Sequence, residues 1–167
     1  KKPIVLKKYR FLIEEGATNR ILALIFLYPD SEFTLSEVAE KAEASKSTAS
    51  RIIKKLEEAE IVKIKDLGII WRIKANQSNF NYIKHKIAFN LALVYSSNLA
   101  EYLIDKYKPK SIILFGSFRK AEDNQESDID IALELSEDIG LQIIKIPELK
   151  SLEDYFGRSI SIHLFNR

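Results

Sequence analysis

The stretch "LFGSFRKAEDNQESDIDIAL", residues 114–133, joins two apolar runs through a Gly-Ser pair and a polar segment. Its upstream run, "SIILF" at 111–115, is short, β-branched and apolar, which predicts a buried strand. Gly116-Ser117 follows at once, and "FRKAED" opens as a helix. A strand, a glycine turn and a helix start bring backbone N–H groups to one spot. That is a phosphate cradle, reinforced here by the Ser117 hydroxyl. Downstream, Ile129, Ile131 and Leu133 alternate with Asp128, Asp130 and Ala132. Period two sets both carboxylates on one strand face, roughly 7 Å apart. Strands disfavour aspartate and neighbouring like charges repel, so either a solvated acidic edge or a bound cation must offset the pair. The chain has no cysteine, which restricts a metal to oxygen or histidine ligands. Hard oxygen donors point to Mg²⁺ or Mn²⁺.

Strand, G-S, short helix and D-x-D strand together resemble the polymerase-beta-like minimal nucleotidyltransferases, over about residues 79–167. The resemblance implies that Gly116 and Ser117 hold the phosphates of a nucleoside triphosphate, with Lys120 as a nearby cation. It implies that Asp128 and Asp130 are the catalytic carboxylates and bind the metal. Two positions depart from the family pattern. Ala121 stands where a glycine is usual, four residues after the motif serine. A third carboxylate is also expected on a later strand, after a helix and a Gly-Arg turn. "PELKSLEDYF" and "GRSISIHLF" fit that helix and strand, but the expected aspartate is Ser161. Serine is neither a general base nor an anionic ligand, and losing a positioned base typically costs ~10²–10⁴ in rate. His163, two residues on and on the same face, is the available substitute.

The first half has a different character. Residues 1–77 carry 15 Lys/Arg and 11 Asp/Glu, a net +4, whereas residues 78–167 carry 11 and 13, a net −2. After the basic start "KKPIVLKKYR", Ile21, Leu24, Ile25 and Tyr28 recur at helical spacing. Thr34 and Glu37 form an S/T-x-x-E capping box ahead of a second helix. A serine then caps a third, on which Ala49, Ile52, Ile53 and Leu56 form the apolar stripe. No acidic residue occurs from Ala44 to Leu56. "IVKIK" and "IIWRIK" around Asp66-Leu67-Gly68 read as a basic hairpin. This order resembles a winged helix-turn-helix over residues 16–75. The resemblance implies double-stranded DNA binding by Lys46, Ser47, Thr48, Ser50, Arg51, Lys54 and Lys55 of the third helix and by Arg72 of the hairpin. Trp71 is expected to pack within the hairpin.

Between the halves, residues 79–107 contain neither glycine nor proline and read as one long connecting helix, apolar on most sides and hence buried on most sides. Its surplus apolar surface suits a homodimer. His85 is expected on the surface. The expected fold is therefore α+β: a winged helix at 1–77, then a small mixed sheet with flanking helices at 78–167, including the connecting helix.

No run approaches the roughly 20 apolar residues of a membrane span and no signal peptide is recognisable, so a cytoplasmic protein without membrane contact is expected. The chain begins at Lys1 and contains no methionine, which suggests a piece of a longer product. The leading expectation is a DNA-binding, regulator-like protein whose nucleotidyltransferase-type domain binds metal-nucleotide with little catalysis, because of Ser161. The alternative is an active Mg²⁺-dependent enzyme moving a nucleoside monophosphate onto a protein, RNA or small-molecule hydroxyl. Related small nucleotidyltransferases serve as antitoxins, so a toxin-like protein partner is included among the expectations.

Overall fold

Capping chemistry sets the boundaries of the first helices. In the computed structural model, which describes residues 16–137 and 139–166, α1 runs Ala17–Leu27, α2 Leu35–Lys41 and α3 Lys46–Glu58. The basic opening "KKPIVLKKYR" lies outside the described residues. The Glu37 N–H donates to Thr34 Oγ1 at 3.2 Å while the Thr34 N–H donates to Glu37 Oε2 at 2.7 Å, which closes the expected capping box. Ser45 caps α3 by accepting from the Thr48 N–H at 3.1 Å. Arg20 of α1 donates to the Ala42 and Glu43 carbonyls, at 2.6 and 3.2 Å, and so satisfies acceptors left over at the end of α2. Ile21, Leu24, Val38, Ala49 and Ile53 are wholly buried in the core these helices share.

The hairpin follows as β2 (Val62–Asp66) and β3 (Trp71–Ala75), with β1 (Glu32–Phe33) adding to β3 in the order β1-β3-β2, all antiparallel. Asp66 pairs with Trp71, which puts Ile69 and Ile70 in the turn rather than in a strand. Gly68 holds a φ of +82° there, and its N–H donates to Asp66 Oδ1 at 2.8 Å.

The single connecting helix is corrected to two: α4 (Phe80–Ser96) and α5 (Leu99–Tyr107), bent by 53°. Small hydroxyls rather than glycine or proline break it. Ser96 Oγ donates to the Ala92 carbonyl at 2.8 Å and Ser97 Oγ to Val94 at 2.7 Å, in competition with the backbone ladder. Asn98 then takes the left-handed conformation, φ +59°, which asparagine tolerates better than most residues. Burial on most sides is also corrected. Phe80 and Tyr95 are 75% and 66% exposed, whereas Tyr82, Lys86 and Asn90, spaced four apart, are buried. His85 is exposed, as expected, but its neighbour Lys86 is not. No single helix among the described residues is long and apolar enough to cross a membrane, although α4 and α5 together match one in length and composition.

The chain divides into two compact units, Lys1–Phe89 and Asn90–Arg167, and the division falls inside α4. The second unit is built on β4 (Ser111–Phe115), β5 (Ile129–Glu134), β6 (Gln142–Ile144) and β7 (Ile160–Phe165). Their order is β4-β5-β7-β6; β5 and β7 run parallel and the outer pairings are antiparallel. Helix α6 (Gly116–Lys120) follows β4. A 3₁₀ turn at Pro147–Leu149 leads into α7 (Lys150–Phe156), which precedes β7. Ile129, Ile131 and Leu133 of β5 and Ile160, Ile162 and Leu164 of β7 are all buried on one face, which leaves the other face for chemistry.

Candidate nucleotide and metal site

Strand pairing assembles the site. Asp130 on β5 lies between Phe115 on β4 and Ser161 on β7, so these three residues form one row across the sheet. Asp128 sits just before β5, exposed and in the same alternation as Asp130. His163 comes two residues after Ser161. Its Nε2 lies 3.4 Å from Ser161 Oγ and 3.7 Å from Asp130 Oδ1, and its ring meets Phe115 edge-on with centroids 4.9 Å apart. The structure therefore brings Gly116, Ser117, Asp130, Ser161 and His163 to one place, with Asp128 at its rim.

Gly116 is required by contact as well as by conformation. Its φ is +74°, and a Cβ there would fall 2.3 Å from Asp130 Oδ2. The carboxylate thus packs directly against the turn that opens α6, whose first N–H groups have no intrahelical acceptors. Ala121 ends α6 with φ +63°, which accounts for the family's glycine at this position. Alanine bears the strain here and its methyl is buried in return. Arg119 and Lys120 are both exposed in the last turn of this five-residue helix, and either can face an incoming polyphosphate.

The residues fit a divalent cation of the kind that a nucleotide brings with it. Among the described residues no three His, Cys, Asp or Glu side chains form a ready-made metal cluster. Mg²⁺, however, is commonly held by one or two carboxylates together with substrate phosphates. Asp128 and Asp130 would be those carboxylates, with Asp130 packed against the Gly116 turn.

Asp123 and Asn90 escaped the sequence reading, and Arg158 entered it only as part of the Gly-Arg turn. Asp123, 1% exposed, pairs with Arg158 at 3.0 Å between Oδ2 and Nη2. Asn90 Nδ2 donates to Asp123 Oδ1 and to the Phe118 carbonyl, both at 2.8 Å. A buried polar set of this kind joins residues far apart in sequence, so no local spacing announces it.

In the N-terminal unit Lys46, Ser47, Arg51, Lys54, Lys55 and Arg72 are exposed, and Thr48 and Ser50 are half-buried. Several are already engaged. Ser45 Oγ bonds the Ser47 and Thr48 hydroxyls at 2.9 Å each, Arg72 pairs with Glu32 at 3.6 Å, and Lys54 Nζ stands 5.6 Å from the centre of the Trp71 ring. Arg51, Lys46 and Lys55 are the exposed cations of α3 that remain.

Comparison with known proteins gives the class. Residues 97–167 match the family described as polymerase beta, nucleotidyltransferase. The match lies within the C-terminal unit and begins at the break between α4 and α5. Two Methanocaldococcus jannaschii proteins provisionally named protein adenylyltransferase are similar over shorter stretches. MJ1379 is 60% identical over 35 residues, 21% of this chain and 35% of that protein. MJ1217 is 41% identical over 61 residues, 36% of this chain and 60% of that protein. The chain therefore spans about a third of one relative and three fifths of the other. No solved structure matches it significantly.

Proposed function

We propose that the C-terminal unit is an active Mg²⁺-dependent nucleotidyltransferase that moves AMP from ATP to a protein hydroxyl. The observation that carries this reading is the packing of Asp130 against Gly116, which unites the phosphate turn and the D-x-D strand in one site. The adenylyl group and the protein acceptor are taken from the names of the two relatives. This reverses the ranking reached from the sequence, where the regulator came first.

The chemistry is a displacement at the α-phosphorus. The acceptor oxygen–phosphorus bond forms, the bond to pyrophosphate breaks and pyrophosphate leaves, and the hydroxyl proton passes to solvent. The turn at Gly116-Ser117 binds and orients the triphosphate, with Arg119 and Lys120 offsetting its charge. Asp128 and Asp130 hold the divalent ion, which supplies charge neutralisation when bound. Ser161 adds no charge beside Asp130. His163 takes the orienting role of the missing carboxylate, its imidazole nitrogen accepting a hydrogen bond from the acceptor hydroxyl.

Incubation with Mg²⁺, ATP labelled at the α-phosphate and a cell extract tests the reading. Label is expected on protein, and a paired Asp128→Asn/Asp130→Asn variant is expected to abolish it. An absence of transfer to any acceptor, with the nucleotide nonetheless bound, would return the domain to a binding role.

A second reading applies to the N-terminal unit. Its succession of three helices and a hairpin supports a winged helix-turn-helix, and the acid-free face of α3 with Lys46, Arg51 and Lys55 exposed supports double-stranded DNA as its partner.

A further inference from the structure

We infer that Arg158 is a positioning residue for Asp128: one guanidinium, fixed by the buried Asp123, clamps both ends of the turn that presents the metal-binding carboxylate. The inference rests on the site reading proposed above. Arg158 follows Gly157, whose φ of +68° ends α7 and turns the chain into β7. From there Nη2 pairs with Asp123 at 3.0 Å, and Nη1 donates to the Asn124 carbonyl and, at 3.5 Å, to that of Ser127. The side chains of Arg158 and Asp123 are only 5% and 0% exposed. Asn90 holds Asp123 from the other side, and the Phe118 ring lies 5.6 Å from the guanidinium carbon.

The turn so gripped is tight in itself. The Asn124 N–H donates to Ser127 Oγ at 3.0 Å and the Ser127 N–H to the Asn124 carbonyl at 3.3 Å. Ser127 directly precedes Asp128, and the Ile129 N–H donates to the Ser159 carbonyl at 2.9 Å. Asp128 therefore stands between two fixed points, although it is itself exposed and lies outside the strand. Arginine suits the task because its planar fork bonds a carboxylate and carbonyls together, whereas lysine offers a single point charge. Outer partners that orient metal ligands typically govern affinity by about 10–100-fold.

A paired Asp123→Asn/Arg158→Met variant removes both charges together and leaves no uncompensated buried ion. Mn²⁺ affinity, melting temperature and hydrogen exchange of amides 124–129 are measured in it, in Arg158→Lys and in Asp128→Asn. Positioning predicts parental melting behaviour with Mn²⁺ bound about 10–100-fold more weakly and faster exchange confined to the turn. Arg158→Lys is expected to fall between the parent and the paired variant, and it serves alone if the paired variant does not fold. Parental Mn²⁺ affinity in a folded variant overturns the inference. If the parent itself binds no Mn²⁺, the metal reading fails separately. Exchange then decides the clamp: unchanged protection of the turn refutes it, and lost protection upholds it.

Discussion

At position 161 one residue separates two accounts of the proposed catalytic face. Ser161 pairs with Asp130 across parallel strands, so an aspartate there sets a new carboxylate beside an existing one. Without metal the added repulsion lowers stability; with metal the same charge becomes a ligand. Ser161→Asp is thus expected to lower the melting temperature of the metal-free protein while raising Mn²⁺ affinity and AMP transfer by about tenfold or more. His163 supplies the discriminating control. If its imidazole orients the acceptor, His163→Ala slows transfer strongly in the parent and weakly once Ser161→Asp is present. Equal losses in both backgrounds would mean that His163 only packs against Phe115.

The elements show which features local sequence announces. Thr34 and Glu37 lie three residues apart, and the capping box they form is the expected one because both groups belong to one helical turn. The Glu37 carboxyl is held below the usual carboxylate range, first by the Thr34 backbone N–H and then by its hydroxyl. Its contribution to stability is therefore present above the unfolded value and lost as pH falls through the depressed folded value. Denaturant titrations at about pH 6 and about pH 3 should show a smaller acid loss in Glu37→Gln than in the parent; equal losses would assign the acid sensitivity elsewhere. The strand faces were similarly readable, since period two puts Asp130 of β5 and Ser161 and His163 of β7 on the side opposite the buried isoleucines and leucines. The α4–α5 break was not, because neither glycine nor proline marks it, and the serine hydroxyl bonds and the left-handed φ of Asn98 that make it emerge only in the fold. The buried set that joins Arg158, Asp123 and Asn90 was unreadable for another reason. Sixty-eight positions separate Asn90 from Arg158, and pairing over that distance follows from the fold alone.

For the whole molecule, the charge split would make the two proposed activities separable. Residues 1–77 carry net +4 and residues 78–167 net −2, so a polyanion would be attracted to the first set, while the second would need a bound cation to receive one. Duplex DNA binding by α3 should accordingly weaken steeply with salt, because each neutralised phosphate releases counterions. Arg51→Ala removes an exposed cation and should reduce the slope of log affinity against log salt by about 1. Lys54→Ala should do less, since that ammonium is already drawn to the Trp71 ring, and should destabilise the N-terminal unit by about 0.5–1 kcal/mol. Neither substitution touches Asp128, Asp130 or the Arg158 clamp, so Mn²⁺ affinity should stay at the parental value in both. Fluorescence anisotropy with a labelled duplex across a salt series measures the slopes. Equal slopes in parent and Arg51→Ala, or no binding at low salt, would remove DNA as the partner of α3 and leave the transferase reading standing by itself.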